Sequence, residues 1–109
     1  TNIQLINFYN PGGNNKPTTI DTYRQISQNH LENLIICGDF NAHNELWGGD
    51  RTDSKGRLIE EWSADNNLVI LNDGTKTRLD PKDGNVSAID LSIVTPKLAQ
   101  ITNWWVDQE

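Results

Sequence analysis

The order of apolar patterns along this chain limits its fold more than any other feature. Short apolar runs at Ile3 to Phe8, Asn33 to Cys37 and Leu68 to Leu71 have the length and composition of strands. Between them, Thr18 to Leu31 and Asp53 to Asn66 repeat apolar residues at helical spacing and begin with good capping residues. Strands and helices therefore alternate, which predicts an α/β layered fold rather than a bundle or a barrel.

Strands dominate the last third of the chain. Ala88 to Val94 is predicted as a strand, because its apolar residues alternate with polar ones. The other elements expected here are a weak strand at Lys76 to Leu79, a turn at Asp80 to Asn85, one helical turn at Pro96 to Gln100 and a last strand at Ile101 to Val106. The inward faces of all these elements predict a core made of Leu34, Ile36, Leu58, Trp62, Leu68, Ile70, Leu91 and Ile93.

Length and charge narrow the class of protein. With 109 residues and 35% hydrophobic content, the chain can bury one modest core, so a single domain is expected. A net charge of -6 argues against a broad basic face for nucleic acid, although a phosphodiesterase site that binds cations is itself acidic. The lone Cys37 cannot form a disulfide within the chain, and no apolar segment approaches membrane-spanning length.

One apolar run turns abruptly polar, in the segment NLIICGDFNAHNELWGGD, Asn33 to Asp50. Asp39 and Asn41 are two residues apart, so an extended backbone would place both on one side and Phe40 in the core. Ligands bind at the carboxyl ends of strands in open α/β sheets. There, Asp39 is suited to activate water and Asn41 to donate a hydrogen bond to a phosphate oxygen. Gly, Asp and Asn are also ordinary turn residues, so a surface turn explains this motif equally well.

A second polar residue interrupts the strand pattern SAIDLSIV. Ile89, Leu91 and Ile93 form one apolar face, and Asp90 lies on the opposite face. Because Asp is depleted in strands, this one either faces water or has a partner in a functional site. The pattern by itself leaves both readings open.

Four segments then carry a family resemblance: NFYNPGG, IICGDFNAHNELWGG, DSKGRLIEEWSADNNLVILNDGTKTR and SAIDLSIVTPKLA. In order and spacing they resemble the endonuclease/exonuclease/phosphatase superfamily, and most closely the endonuclease domain of non-LTR retrotransposon polyproteins. The resemblance implies part of a four-layered α/β sandwich, in which two β-sheets pack together with helices outside. It also implies Mg²⁺-dependent hydrolysis of phosphodiester bonds, with Mn²⁺ as an alternative ion, and nicking of DNA in the nucleus.

The same resemblance assigns roles to individual residues. Asp39 corresponds to the aspartate that orients or deprotonates the attacking water, and it is the expected, weak metal ligand of this chain. Asn41 corresponds to the asparagine that contacts the scissile phosphate, and Asp90 to the aspartate that orients a catalytic histidine. Tyr9 corresponds to a tyrosine that reaches the phosphate, although a strand-end aromatic ring also packs well on a core. His43 is grouped with substrate binding, with a loop-fixing role as the favoured contribution.

Further expectations concern the completeness of the domain, its partners and its alternative functions. Residues 1–109 are expected to be one partial domain, truncated at both ends, because the family's metal-binding glutamate and its SDH histidine have no counterpart here. We expect DNA and the remainder of a polyprotein as partners, and no nuclease activity from the isolated segment. The alternatives are a noncatalytic remnant or phosphate-binding module with the same fold, and a phosphatase that acts on a nonnucleic substrate. Trp47 is expected to pack in its loop rather than to stack on bases.

Overall fold

The computed structural model describes residues 2–11, 19–28, 33–79 and 86–107, except for the side chains at 78–79 and 86–87. In chain order its elements are β1 (Gln4–Tyr9), α1 (Ile20–Ser27), β2 (Leu34–Asp39), α2 (Ser54–Asp65), β3 (Val69–Ile70), β4 (Arg78–Leu79), β5 (Val86–Ser87), β6 (Asp90–Val94) and α3 (Pro96–Ala99). The predicted α/β class is therefore confirmed. No helix within the described ranges is long and apolar enough to cross a membrane.

Four strands form one mixed sheet in the order β1-β2-β6-β3. β1 runs parallel to β2, and β6 lies antiparallel to both β2 and β3. Gly38 allows the close approach of the first two strands, because its φ is 151° and a Cβ there would collide with the carbonyl oxygen of Phe8. β4 and β5 pair with each other in a separate two-stranded ribbon.

The core lies between one face of the sheet and helices α1 and α2. Of the residues predicted for it, Leu58 and Ile70 are only partly buried and pack against it, whereas the other six are buried. Ile59, next to Leu58, is the fully buried aliphatic residue of α2. The apolar face of α2 is therefore centred on Ile59 and Trp62, with Leu58 at its margin.

Aromatic rings join the sheet to the helices. Tyr23 of α1 lies 5.9 Å from Phe8 of β1 and 5.3 Å from Trp62 of α2, measured between ring centroids. The Trp62 indole N–H donates to the Ser27 hydroxyl over 3.0 Å, which satisfies its polar atom inside the core. This contact fixes α2 against α1.

The opposite face of the sheet is more open. Leu5 of β1 is 66% exposed there, and its register partner Ile35 is partly buried. Trp104 reaches this face, where its indole N–H donates to the Ser92 hydroxyl over 3.2 Å. The packing of a second sheet on this face, as in a four-layered sandwich, stays a prediction.

Most element boundaries differ from the predicted ones by one or two residues, but the last predicted strand is wrong. Ile101 to Val106 have no strand structure, because no other described strand pairs with this segment. Its alternating pattern is instead explained by Trp104, which packs on β6, and Trp105, which faces solvent. Two predictions lie outside the described residues, namely the turn at Asp80 to Asn85 and the end of the first helix beyond Gln28.

Candidate active site

Three of the residues proposed from the sequence lie in one row across the sheet. Tyr9 at the end of β1 is the register partner of Asp39 at the end of β2, and Asp39 is the partner of Asp90 at the start of β6. Partners in register project from the same face of a sheet. The fold therefore places a phenol and two carboxylates side by side at one edge of the open face.

The two carboxylates form the closer kind of antiparallel pair. The Phe40 N–H donates to the Ile89 carbonyl over 3.0 Å and the Thr95 N–H donates to the Leu34 carbonyl over 3.1 Å, so the ladder bonds across this pairing join pairs whose member on the β2 side is even-numbered. Since such pairs alternate along an antiparallel ladder, Asp39 and Asp90 are a non-hydrogen-bonded pair, with Cα atoms about 4.5 Å apart. Like charges directly opposite each other destabilise a sheet. A cation or a hydrogen-bond donor placed between the two carboxylates would relieve this repulsion.

Asn41 reaches the row through a turn. The extended backbone expected beyond β2 is not observed, because β2 ends at Asp39 and Asn41 adopts a left-handed conformation with φ 50°. Its backbone N–H donates to Oδ1 of Asp39 over 2.9 Å, and its side-chain amide donates to the Asn10 carbonyl over 3.2 Å. The Asn10 N–H in turn donates to the Asp39 carbonyl over 2.8 Å. The ends of β1 and β2 are thus tied together around the Asp39 carboxylate.

Tyr9 is open to solvent, with 68% of its surface exposed. The alternative, that this strand-end aromatic ring packs on the core, requires a buried ring. The Tyr9 ring is not part of the core. The hydroxyl is therefore accessible to a ligand bound over the row.

His43 is anchored through its backbone. Its N–H donates to Oδ1 of Asp53 over 3.2 Å, and its carbonyl accepts from the Asp53 N–H over 3.0 Å. The same Asp53 carboxylate caps α2 by accepting from the Gly56 N–H over 2.8 Å. These backbone contacts hold the loop after Asn41 on the first turn of α2, and the role of the His43 side chain stays a prediction.

Asn44 is the buried centre of this loop. Its amide donates to Oε1 of Glu60 over 2.8 Å and to the Gly56 carbonyl over 3.2 Å, and its Oδ1 accepts from the Leu46 N–H over 2.9 Å. Trp47 is fully buried, and its indole N–H donates to the Ala42 carbonyl over 3.3 Å. Trp47 therefore packs inside the loop and is not exposed for base stacking.

A buried tyrosine lies beneath the site. The Tyr23 hydroxyl makes no hydrogen bond of good geometry with the described residues. Burial raises the pKa of Tyr23 to about 12, with the Asn10 side chain opposing this rise and the charge of Asp53 adding to it. Tyr23 thus lies next to two residues that organise the loops of the site.

Sequence reasoning missed the polar residues that support the row. The side chains of Asn72 and Thr77 contact the backbone of Asp90, and the backbone of Asn10 contacts Asp39 and Asn41, through hydrogen bonds that join distant parts of the chain. Their only sequence signal is their position just after a strand or just before one, which is also typical of turn residues.

The described part of the chain contains no group of three or more His, Cys, Asp or Glu side chains that could hold a metal ion. The pair formed by Asp39 and Asp90 offers two carboxylates at the open edge.

Comparison with known proteins agrees with this architecture. The family model described as endonuclease-reverse transcriptase matches residues 3–109. Among solved structures, the fold is similar to the endonuclease domain of TRAS1, a telomere-specific non-LTR retrotransposon, with a TM-score of 0.72 and 23% sequence identity. The similarity covers 83% of this chain but 43% of that one, so the chain spans less than half the length of the solved domain. No curated protein matches the sequence.

The family match covers nearly the whole chain, and it includes every strand and loop that contributes to the acidic row. The resemblance inferred from the four ordered sequence segments is therefore confirmed. This chain belongs to the endonuclease-reverse transcriptase family.

Proposed function

We propose that this chain is part of a Mg²⁺-dependent DNA endonuclease, which hydrolyses phosphodiester bonds at the row formed by Tyr9, Asp39 and Asp90. The observation that supports this most strongly is the register, which brings three residues from distant parts of the sequence into adjacent positions. A single phosphate can be reached by all three, and positioning of this kind is a large part of phosphoryl-transfer catalysis. The family membership supports nuclease-type chemistry.

Each residue has a chemical role in this proposal. Asp39 accepts a proton from the attacking water or orients that water, and its Oδ1 is already held by the Asn41 N–H. Asn41 keeps one side-chain N–H for a phosphate oxygen, since the other donates to the Asn10 carbonyl. The exposed hydroxyl of Tyr9 donates to a second phosphate oxygen.

The residues at this edge fit a magnesium ion. Mg²⁺ is held by oxygen ligands, usually one or two carboxylates together with substrate phosphate and several waters. Asp39 would hold it, with Asp90 beside it to complete the acidic pair. When bound, the ion would supply positive charge to the phosphate oxygens during hydrolysis.

We further propose that this chain needs its flanking segments for activity. The part of it that matches the solved endonuclease structure covers 43% of that chain. The resemblance predicts that a metal-binding glutamate and a catalytic histidine lie in the remaining part. Residues that act as a unit lose most of their effect together when one is removed.

A plasmid-nicking assay with Mg²⁺ tests the proposal. It compares this chain and the chain extended at both ends to include the missing motifs, each with and without Asp39→Ala. We expect nicking by the extended chain, a loss of about 10²- to 10⁴-fold with Asp39→Ala, and none by the short chain. Asp65→Ala, at the exposed end of α2, is the matched control and should nick like the unmodified protein.

Two results would contradict the proposal. Mg²⁺-dependent nicking by the short chain that survives Asp39→Ala, once contaminating nuclease is excluded, would refute both the need for flanking segments and the role of Asp39. Binding of DNA by the extended chain without any cleavage would favour the noncatalytic, phosphate-binding alternative instead.

A further inference from the structure

Asp90 lies where the sheet loses one of its strands. Its N–H and C=O point away from β2, because Asp39 and Asp90 are a non-hydrogen-bonded pair. The neighbour on that side is β3, which pairs with β6 only at Val69 and Ile70. One more ladder bond follows, from the Leu71 N–H to the Ser92 carbonyl over 2.8 Å. Beyond it, no described strand supplies partners for the backbone of Asp90.

The side chain of Asn72 continues the ladder. Its Oδ1 accepts from the Ser92 N–H over 3.0 Å, and its Nδ2 donates to the Asp90 carbonyl over 2.8 Å. A carboxamide has the same donor and acceptor groups as a peptide unit, so it can occupy the place of the next strand residue. Asn72 is buried, which strengthens its bonds and makes their loss costly.

Thr77 supplies the second contact. Its hydroxyl oxygen accepts from the Asp90 N–H and from the Ile89 N–H, each over 3.2 Å. Both polar backbone groups of Asp90 are therefore bonded to side chains of the segment from Asn72 to Thr77.

That segment is itself fixed at its far side. The chain turns away from β6 at Asp73, whose Oδ1 accepts from the Thr75 N–H over 3.0 Å. The Lys76 ammonium donates to the carbonyl of Gly48, and a Cβ on Gly48 would collide with the Gly74 carbonyl oxygen. The contacts to Asp90 thus come from a segment held against the loop that also carries Trp47.

We infer that Asn72 and Thr77 are positioning residues, which hold the Asp90 carboxylate opposite Asp39 in the proposed nuclease site. Without them, the backbone of Asp90 would have no partner on the side of β6 that faces away from β2. Repulsion between the two carboxylates would then push Asp90 away from β2. The inference rests on the proposed function only in assigning this geometry to catalysis. The geometry itself can be measured without any activity.

Nuclear magnetic resonance on this chain tests the geometry. A non-hydrogen-bonded antiparallel pair brings its two Hα atoms together, so a strong Hα–Hα Overhauser contact is expected between Asp39 and Asp90. Asn72→Ala should weaken that contact at least twofold and speed hydrogen exchange of the Ser92 amide at least tenfold, while the contact between Ile35 and Val94 persists. Asn66→Ala is the matched control, because it also removes a 2.8 Å bond from a side-chain amide to a carbonyl, that of Trp62.

The nicking assay on the extended chain tests the consequence for catalysis. Asn72→Ala and Thr77→Val should lower kcat at least tenfold with KM for DNA unchanged within twofold. Thr77→Ser, which keeps the accepting oxygen, should retain kcat within twofold. An unchanged contact between Asp39 and Asp90 in Asn72→Ala would overturn the inference, as would a weakened contact with full kcat. If the unmodified extended chain does not nick DNA, the proposed function fails and the resonance result alone decides whether Asn72 positions Asp90.

Discussion

At the scale of single residues, Tyr23 shows how the core and the site are joined. Its ring packs between Phe8 and Trp62, while its hydroxyl lies near Asn10 and Asp53, which hold the loops of the site. A buried phenol resists ionisation, because the charged form loses its hydration. Because the pKa of Tyr23 is raised in the folded state, the fold loses stability at alkaline pH.

The sign of this effect follows from proton binding. Since the pKa of Tyr23 rises from 10.0 to about 12 in the folded state, its contribution to stability is present below pH 10 and is lost as pH rises towards 12. We expect the free energy of unfolding to fall by about 1 kcal/mol more in the unmodified protein than in Tyr23→Phe between pH 9 and pH 11. Urea unfolding of both proteins at pH 9 and pH 11 measures this difference in the free energy of unfolding. Equal losses in both proteins would show that Tyr23 ionises equally easily in the folded and unfolded states.

At the scale of elements, Trp62 holds α2 against α1. It is 1% exposed, contacts the Tyr23 ring and donates its indole N–H to Ser27. Trp62→Ala should lower the free energy of unfolding by about 3 to 5 kcal/mol, because it opens a large cavity and removes the hydrogen bond to the Ser27 hydroxyl.

Trp105→Ala is the control for this substitution, since Trp105 is 74% exposed and lies outside any helix or strand. Its removal should change the free energy of unfolding by less than about 0.5 kcal/mol. Chemical denaturation of the two variants distinguishes them. A loss well under 1 kcal/mol for Trp62→Ala would mean that α2 does not pack on the sheet as described.

At the scale of the whole molecule, the two faces of the sheet differ in how they are covered. Leu34 of β2 lies on the face that α1 and α2 cover and is fully buried, whereas Leu5 of the adjacent β1 lies on the open face. We expect Leu34→Ala to cost about 2 to 5 kcal/mol and Leu5→Ala less than about 0.5 kcal/mol in this chain.

The same pair of substitutions in the extended chain tests the predicted second sheet. If a second sheet covers the open face there, Leu5→Ala should become as costly as a core substitution, about 2 kcal/mol or more. Denaturant unfolding of both variants in both chains measures the difference. A cost for Leu5→Ala that stays below about 0.5 kcal/mol in the extended chain would contradict a four-layered arrangement.

Local sequence patterns were sufficient for most of the elements, and the order of four segments along the chain was sufficient for the family. The runs around Leu34 and Leu91 predicted strands, and the sequence narrowed the cap of α2 to Asp53 or Ser54, of which the structure shows Asp53, because periodicity and capping depend on neighbours in the chain. The GDFN and SAIDLSIV motifs were enough to name Asp39, Asn41 and Asp90 as candidates. The same patterns could not separate Leu58 from Ile59, and they predicted a final strand at Ile101 to Val106 that has no partner among the described strands.

Only the tertiary structure decided how these residues meet. The pairing of Tyr9 with Asp39 and of Asp39 with Asp90 depends on the register of three strands, which is set by the packing of one apolar face against two helices. The contacts of Asn72 and Thr77 with Asp90 join positions 13 to 18 residues apart, and they arise because β3 ends opposite Ile93 and does not reach the start of β6 at Asp90. A side chain that replaces a missing ladder bond looks, in the sequence, like any other turn residue, since the vacancy that it fills exists only in the folded sheet.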